Sequence, residues 1–221
     1  MLGGRIKDMS MDKLLVVHPS QKYDREKITQ PHIRRLVDAF GPGRTYALYD
    51  NRQEMFRYLE RSDLTHSLES KLGEIQDGCF LKDLLSGDSV TICGHTADDC
   101  HHTAFESVVG NHNLPGEPRQ TVTIPTYAIS SRYGFDSGAT VKEEIDDLMP
   151  RLPDNVRYPY ELYFTPRLNG NLGRDEITTL RVMAQYIKTC LHIPAEIQVD
   201  GKPIYGNTGG NGTLVLDFQN R

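Results

Sequence analysis

The residues whose types and spacing are best suited to catalysis are residues 89–104, where a cysteine follows a predicted strand and a glycine turn. The apolar run from Val90 to Cys93 predicts a strand that ends at Gly94, and Cys100 falls where the next helix begins. Free N–H groups and the dipole at a helix start favour negative charge, which lowers the pKa of a thiol there. The pattern therefore predicts a nucleophilic thiolate at Cys100.

The other three cysteines are predicted to be inert. Cys93 ends an apolar strand, and Cys79 and Cys190 lie among apolar residues, so we expect all three to pack in the core. The four cysteines form no CxxC pair and no compact disulfide framework, which is typical of reduced thiols in a cytoplasmic protein.

A metal centre is an alternative use of the same segment, because three histidines lie close to Cys100. Zinc needs four nitrogen or sulphur ligands in a tetrahedron, and this spacing matches no standard zinc knuckle. His101 and His102 would face different sides of a helix, so we interpret them as partly exposed helix residues. A trio of His18, His95 and Cys100 is a geometrically conceivable metal site, but the favoured prediction has no metal and no other cofactor.

The scaffold predicted for these residues alternates strands with helices. Four runs rich in apolar or branched residues predict strands, at residues 14–17, 45–49, 90–93 and 121–124. A helix is expected over residues 98–109, and a weaker helical pattern covers residues 64–75. This order indicates an α/β fold, a Rossmann-like three-layer arrangement with a parallel sheet and helices on both faces.

The carboxyl ends of the strands are the expected binding edge of such a sheet. His18, Asp50, the 94–100 loop and Thr126 all follow predicted strands. We therefore expect these side chains to meet at one edge.

A change of composition at residues 150–153, Pro-Arg-Leu-Pro, divides the chain into two predicted units. Residues 12–150 would form the α/β domain. Residues 151–221 would form either a small α+β domain or an extension of the same sheet. Their predicted elements are a helix at 175–191 and strands at 161–164, 196–199, 204–205 and 213–218.

The bulk composition narrows the class of partner. The chain has 221 residues and a net charge of −5, with a pI near 5.9. It has no basic arm, which argues against a non-specific nucleic-acid binder. No apolar run approaches the roughly 20 residues that span a bilayer, and the first residues lack a signal-peptide core. We expect a cytoplasmic protein with a small-molecule substrate and no membrane partner, and homo-oligomers are common for such sheets.

The segment 89–104 resembles the isochorismatase-like (cysteine hydrolase) family, whose nucleophilic cysteine stands six residues after a strand-ending glycine. Gly94 and Cys100 have that spacing, and Asp98 matches the Asp or Asn often found two residues before the cysteine. Upstream, Gly78-Cys-Phe80 is similar to the family's Ser/Gly-Ala-Phe segment. The likeness covers residues 12–150 in patches.

The resemblance implies a base and a lysine beside the cysteine. In the family an aspartate ends the first strand as general base, whereas this chain has His18 there, and imidazole accepts protons near neutral pH. The family's lysine lies just before the Ser/Gly-Ala-Phe segment, where the nearest lysines of this chain are Lys71 and Lys82, and Lys71 is the predicted one. Asp24 and Asp50 are alternative acids.

The resemblance also implies the reaction, hydrolysis of a small amide, imide or ester-like substrate through a cysteine nucleophile. Backbone N–H groups of the 95–100 loop would hold the oxyanion. The predicted substrate-binding residues are Asp50, His95, Thr96, Asp98 and Phe80. The absence of the family's aspartate and lysine motivates an alternative, a catalytically degenerate α/β module that binds a partner or oligomerises.

Overall fold

A computed structural model of the chain describes residues 12–24, 27, 29–95, 100–112, 121–130, 195–206 and 214–218. The strands among these residues are β1 (Lys13–Val17), β2 (Thr45–Tyr49), β3 (His66–Glu69), β4 (Ser89–His95), β5 (Thr121–Pro125), β6 (Ile129–Ser130), β7 (Ala195–Val199), β8 (Lys202–Tyr205) and β9 (Leu214–Phe218). The α-helices are α1 (Gln30–Phe40), α2 (Arg52–Leu59), α3 (Gly78–Leu84) and α4 (Cys100–His112). The elements predicted at 161–164 and 175–191 lie outside the described residues.

The described strands form one sheet in the order β3-β2-β1-β4-β5-β9-β7-β8, and β6 pairs with β4. Each pairing is parallel except that of β7 with β8. The strands from the C-terminal part of the chain therefore extend the same sheet, because β9 pairs with β5. The predicted α/β fold with a largely parallel sheet is confirmed.

Apolar side chains cover both faces of the sheet. Alternate residues of a strand point to opposite faces. Leu15 and Val17 of β1 pack in a cluster with residues of α3 and α4. Leu14 and Val16 pack in a second cluster with residues of α1 and α2. A central strand that is buried on both faces reads as the continuous apolar run seen at Leu14–Val17.

The end of β4 approaches the end of β1 closely at Gly94, which lies opposite Val17 in the register. A Cβ on Gly94 would stand 2.1 Å from the carbonyl oxygen of Val17, and its φ of +117° is rarely adopted by other residues. The glycine of the predicted turn is therefore required by sterics. The residues that follow this pair along the chain are His18 and His95.

Two sequence-based expectations about local structure are wrong. Residues 66–69 form β3, a strand at the edge of the sheet, where the apolar spacing of 64–75 favours a helix. Cys79 is exposed, although its apolar neighbours predict a core position.

Among the described helices, none combines the length and apolar composition that a membrane span requires.

Candidate active site at the carboxyl edge of the sheet

The carboxyl edge gathers most of the predicted site residues that the structure describes. His18 follows β1, Asp50 follows β2, His95 ends β4, and Cys100 is the first residue of α4. His18, His95 and Cys100 are buried, whereas Asp50 is partly exposed. Because parallel strands end at the same edge, these four residues share one end of the sheet.

His18 is held in a defined orientation by backbone groups. Its backbone has a φ of +45°, and its N–H donates to Leu48 O at 2.9 Å. The side-chain Nε2 lies 2.7 Å from Ser70 O. A carbonyl oxygen can only accept, so Nε2 carries the hydrogen. In the neutral ring the lone pair that can accept a proton is therefore on Nδ1.

Residues 70–74, which we call the bridging loop, contact both His18 and Cys100. Ser70 accepts the His18 hydrogen bond, and its hydroxyl donates to Glu74 O at 3.0 Å. A Cβ on Gly73 would lie 2.0 Å from Cys100 O, so the loop backbone packs directly on the first residue of α4. One short segment thus joins the imidazole and the thiol-bearing residue.

The two candidate lysines differ in position. Lys71 is exposed and belongs to the bridging loop, next to Ser70, whereas Lys82 is exposed on α3. Phe80 packs edge-on against Tyr46 with ring centroids 5.3 Å apart. Since Tyr46 lies near the start of β2, the structure does not bring Phe80 to the carboxyl edge. Thr96 and Asp98 lie outside the described residues.

A buried chain of hydrogen bonds runs from Asp24 through Tyr58 to His95. The Tyr58 hydroxyl donates to Asp24 Oδ2 at 2.8 Å, and His95 Nε2 lies 3.1 Å from the same hydroxyl oxygen. A hydroxyl has one hydrogen to donate, and here it points to a carboxylate. His95 Nε2 is therefore the donor to Tyr58, so His95 has its lone pair on Nδ1.

The charge state of His95 follows from its surroundings. Burial lowers its pKa to about 4, the nearby Asp24 carboxylate opposes this shift, and a charge on His18 adds to it. His95 is therefore neutral at pH 7. The two histidines interact electrostatically, so a proton on His18 disfavours a proton on His95.

Tyr23 is half-buried and its ring lies near both His18 and His95, which we call the histidine pair. Its ring centroid is 6.2 Å from that of His18 and 6.4 Å from that of His95. Its hydroxyl donates to Asp50 Oδ2 at 3.1 Å, and Lys22 Nζ is 3.6 Å from the same oxygen. Asp50 is thus connected to the histidine pair through Tyr23.

Cys93 and His101 have structural surroundings. Burial raises the pKa of Cys93 far above its usual range, so it stays a neutral thiol, as its strand position predicts. His101 is fully buried and its Nε2 donates to Ile92 O at 3.3 Å, which corrects the expectation of a partly exposed residue. No three His, Cys, Asp or Glu side chains within the described residues are arranged to hold a metal ion, so the trio of His18, His95 and Cys100 has no geometric support there.

Sequence reasoning missed Tyr58 and left Asp24 only as an alternative acid. Tyr58 lies on the buried face of α2 with Met55 and Leu59. A tyrosine on an apolar helix face usually finds a hydrogen-bond partner for its hydroxyl. That habit, applied to Tyr58, is the signal that could have indicated a buried polar group near the site.

The chain is similar to several solved hydrolases. A nicotinamidase from Staphylococcus aureus is 16% identical, with 56% of this chain and 86% of that chain covered and a TM-score of 0.42. The values for N-carbamoylsarcosine amidase from Thermoplasma acidophilum are 13%, 64%, 91% and 0.42. Those for an isochorismatase-like hydrolase from Alkaliphilus metalliredigens are 10%, 63%, 90% and 0.42.

The last of these solved proteins is itself described as an isochorismatase-like hydrolase. No family model matches the sequence. No curated protein matches it either.

Proposed function

We propose that this protein is a cysteine hydrolase of small amides or related carbonyl compounds, with Cys100 as nucleophile and His18 as its proton acceptor. The observation that carries the proposal is the bridging loop. It fixes the His18 ring through Ser70 O and packs through Gly73 on the backbone of Cys100. An imidazole of defined tautomer and a thiol at a helix start are thereby held at one edge of the sheet.

The reaction proposed for these groups has two halves. In the first, the Cys100 thiol proton passes to His18 Nδ1, and the sulphur attacks the substrate carbonyl carbon. Collapse of the tetrahedral intermediate breaks the C–N bond, and the leaving amine takes the proton from His18. In the second half, His18 removes a proton from water, which attacks the thioester and releases the acid and the thiol.

Other groups have supporting roles in this proposal. Backbone N–H groups of the 95–100 loop would hold the oxyanion, because donors at a helix start favour negative charge. Lys71, on the bridging loop, would stabilise the thiolate, and Asp50, His95, Thr96 and Asp98 would contact the substrate. A cytoplasmic location and self-association are further expectations from the sequence.

The first test is the pH dependence of the alkylation rate of each cysteine in the native protein. Iodoacetamide is the reagent, and peptide mass mapping identifies the labelled residues. We expect Cys100 to titrate below the roughly 8.5 of a free thiol. Cys79, which is exposed, is the reference thiol in the same molecule. His18→Gln should slow Cys100 by about tenfold or more at pH 7 and leave Cys79 unchanged.

A substrate screen with small amides then tests the reaction itself. Cys100→Ser and Cys100→Ala should abolish turnover, whereas Cys79→Ser should retain it. If Cys100 reacts no faster than Cys79 at every pH, despite its place at a helix start, its assignment as the nucleophile is refuted.

A further inference from the structure

We propose that Asp24 is the counter-charge of the histidine pair formed by His18 and His95, and that Tyr58 is the positioning residue that couples Asp24 to His95. This inference deepens the proposed function and rests on it for its catalytic consequence. The carboxylate of Asp24, six residues after His18, would then stabilise the positive charge that forms when His18 accepts a proton. The expected first-strand position is occupied by the imidazole of His18.

The first step of the argument is the location of Asp24. Its side chain is buried, with 5% of the residue exposed. Oδ2 accepts from the Tyr58 hydroxyl at 2.8 Å and from Gln30 N at 2.9 Å, and Oδ1 lies 3.5 Å from Thr29 N. Among these described contacts each donor is neutral. In these contacts Asp24 is a buried side chain held by neutral donors, and His95 is the imidazole connected to it through the Tyr58 hydroxyl.

The second step is the direction of the hydrogen bonds. Because Tyr58 donates to Asp24, it can only accept from His95 Nε2. The chain thus fixes His95 as the tautomer with its proton on Nε2. A proton added to the histidine pair is stabilised by the negative charge of Asp24, which acts through the polarised hydroxyl of Tyr58. Hydrogen bonds in such a chain polarise one another at low dielectric.

The third step concerns the groups that face the pair. From the segment after β1 these are Lys22, Tyr23 and Asp24. Asp50 acts from the end of β2 through Tyr23, and Tyr58 acts from α2. From β4, Cys93 interacts electrostatically with Tyr58. Lys22 is largely exposed and paired with Asp50. Asp24 is therefore, within the described parts of the chain, a buried carboxylate that reaches His95 through a single hydroxyl, that of Tyr58.

The chemical consequence is that proton transfer from Cys100 creates an imidazolium which Asp24 stabilises. The thiol loses a proton, the imidazole gains it, and no other reactant is needed. Asp24→Asn removes the charge and keeps the chain, because the amide oxygen can accept from both Tyr58 and Gln30 in place of Oδ2. Tyr58→Phe breaks the chain and keeps the charge.

The test combines alkylation of Cys100 by iodoacetamide with ¹⁵N NMR of the histidine rings in the full chain. For Asp24→Asn we expect the rate at Cys100 to fall about tenfold at pH 7, equivalent to one pKa unit on the imidazole that takes the proton. Cys79 should be unchanged and His95 should keep its Nε2–H signature. For Tyr58→Phe we expect the single-tautomer signature of His95 to be lost. Asp38→Asn, an exposed carboxylate on α1, and Tyr49→Phe are the matched controls.

Each outcome decides the proposal. A Cys100 rate within twofold of the unmodified chain in Asp24→Asn overturns it, as does an unchanged His95 tautomer in Tyr58→Phe. If Cys100 of the unmodified chain reacts no faster than Cys79, the proposed function fails, and the counter-charge is judged by NMR alone. It stands if Asp24→Asn lowers the pKa of the histidine pair by about one unit, and it falls if that pKa is unchanged. Circular dichroism confirms that each variant is folded.

Discussion

The two edges of the sheet carry the same pair of side chains, a tyrosine hydroxyl that donates to an aspartate. At the carboxyl edge Tyr58 donates to Asp24 at 2.8 Å. At the amino edge Tyr46 donates to Asp83 at 2.5 Å. The residue that completes each group differs, since it is His95 at the carboxyl edge and Lys13 at the amino edge.

Lys13 is the centre of a hydrogen-bonded cluster at the amino edge. Its Nζ donates to the Tyr46 hydroxyl at 2.9 Å, to Asp83 O at 2.5 Å and to Ser86 Oγ at 3.0 Å. The hydrogen bond from Tyr46 and the charge of Lys13 hold the pKa of Asp83 below its usual range. Every polar atom of this group has a partner, and the group connects α3 to β1 and β2.

The comparison shows what an imidazole changes. Lys13 acts only as a hydrogen-bond donor, and its bonds connect several groups of the amino edge, so it contributes to stability. His95 is neutral at pH 7 and keeps a lone pair, so a proton can be added to the same kind of group. The amino edge should therefore govern stability, and the carboxyl edge should govern reactivity and the response to pH.

The largest expected effect comes from Gly94→Ala at the carboxyl edge. The added Cβ would meet Val17 O at 2.1 Å in a backbone with φ of +117°, so we expect a loss of about 4 kcal/mol or complete unfolding. Urea denaturation measures it. Gly43→Ala is the control, because a Cβ there meets nothing within 4 Å and should change stability by less than about 0.5 kcal/mol. A loss below about 1 kcal/mol in Gly94→Ala would show that the two strand ends can separate.

The next largest effect is the acid sensitivity caused by His95. Its pKa is lowered to about 4 in the folded chain from 6.5, so between these values the unfolded chain binds a proton that the folded chain does not. Stability should therefore fall as the pH decreases, by about 2 kcal/mol between pH 7 and pH 5. Urea denaturation of His95→Gln at the same two pH values should show a smaller decrease. An equal decrease in both proteins contradicts the assignment to His95.

A smaller loss of stability is expected for Asp83→Asn at the amino edge. The change removes the counter-ion of the largely buried Lys13, but Asp83 is half exposed, so solvent limits the cost to about 1 kcal/mol. The alkylation rate of Cys100 should not change. Asp63→Asn, in an exposed ion pair with Arg61, should leave the stability nearly unchanged, because solvent screens such a pair. A change at Cys100 in Asp83→Asn would mean that the two edges are coupled.

The smallest effect is expected for Cys79→Ser. Cys79 is exposed, so stability should change by less than about 0.5 kcal/mol. Mass mapping of this variant after brief alkylation should find the label on Cys100 and none on Cys93, because Cys93 is buried as a neutral thiol. Labelling of Cys93 at pH 7 would indicate that β4 opens to solvent.

The sequence predicts the central strands well because their patterns have one interpretation. The continuous apolar run of β1 and the strand that ends at Gly94 leave little choice of structure. Residues 64–75 are different, because Leu64, Leu68 and Leu72 recur every four residues, which fits a helix. In the structure Leu68 belongs to the strand β3, and Leu72 is exposed on the bridging loop. Short segments with few apolar residues are decided by pairing with a neighbouring strand, which periodicity does not report.

The site could be predicted only in part. His18 and Cys100 follow from strand ends and helix starts, which are local features of the sequence. The link between them is the bridging loop, whose contact with Cys100 depends on tertiary packing of Gly73. Tyr58 and Asp24 are 34 residues apart, and no local pattern connects an aspartate in a turn with a tyrosine on a later helix.

The position of β9 between β5 and β7 has a consequence for the order of events during synthesis. Pro125 of β5 lies opposite Asp217 of β9, so β5 has no partner on that side until residues 214–218 have left the ribosome. Contacts of such long sequence separation form slowly. Until they form, an open strand edge is exposed beside the incomplete sheet, and open edges invite aggregation. The nascent chain therefore keeps this edge of β5 open until β9 has left the ribosome.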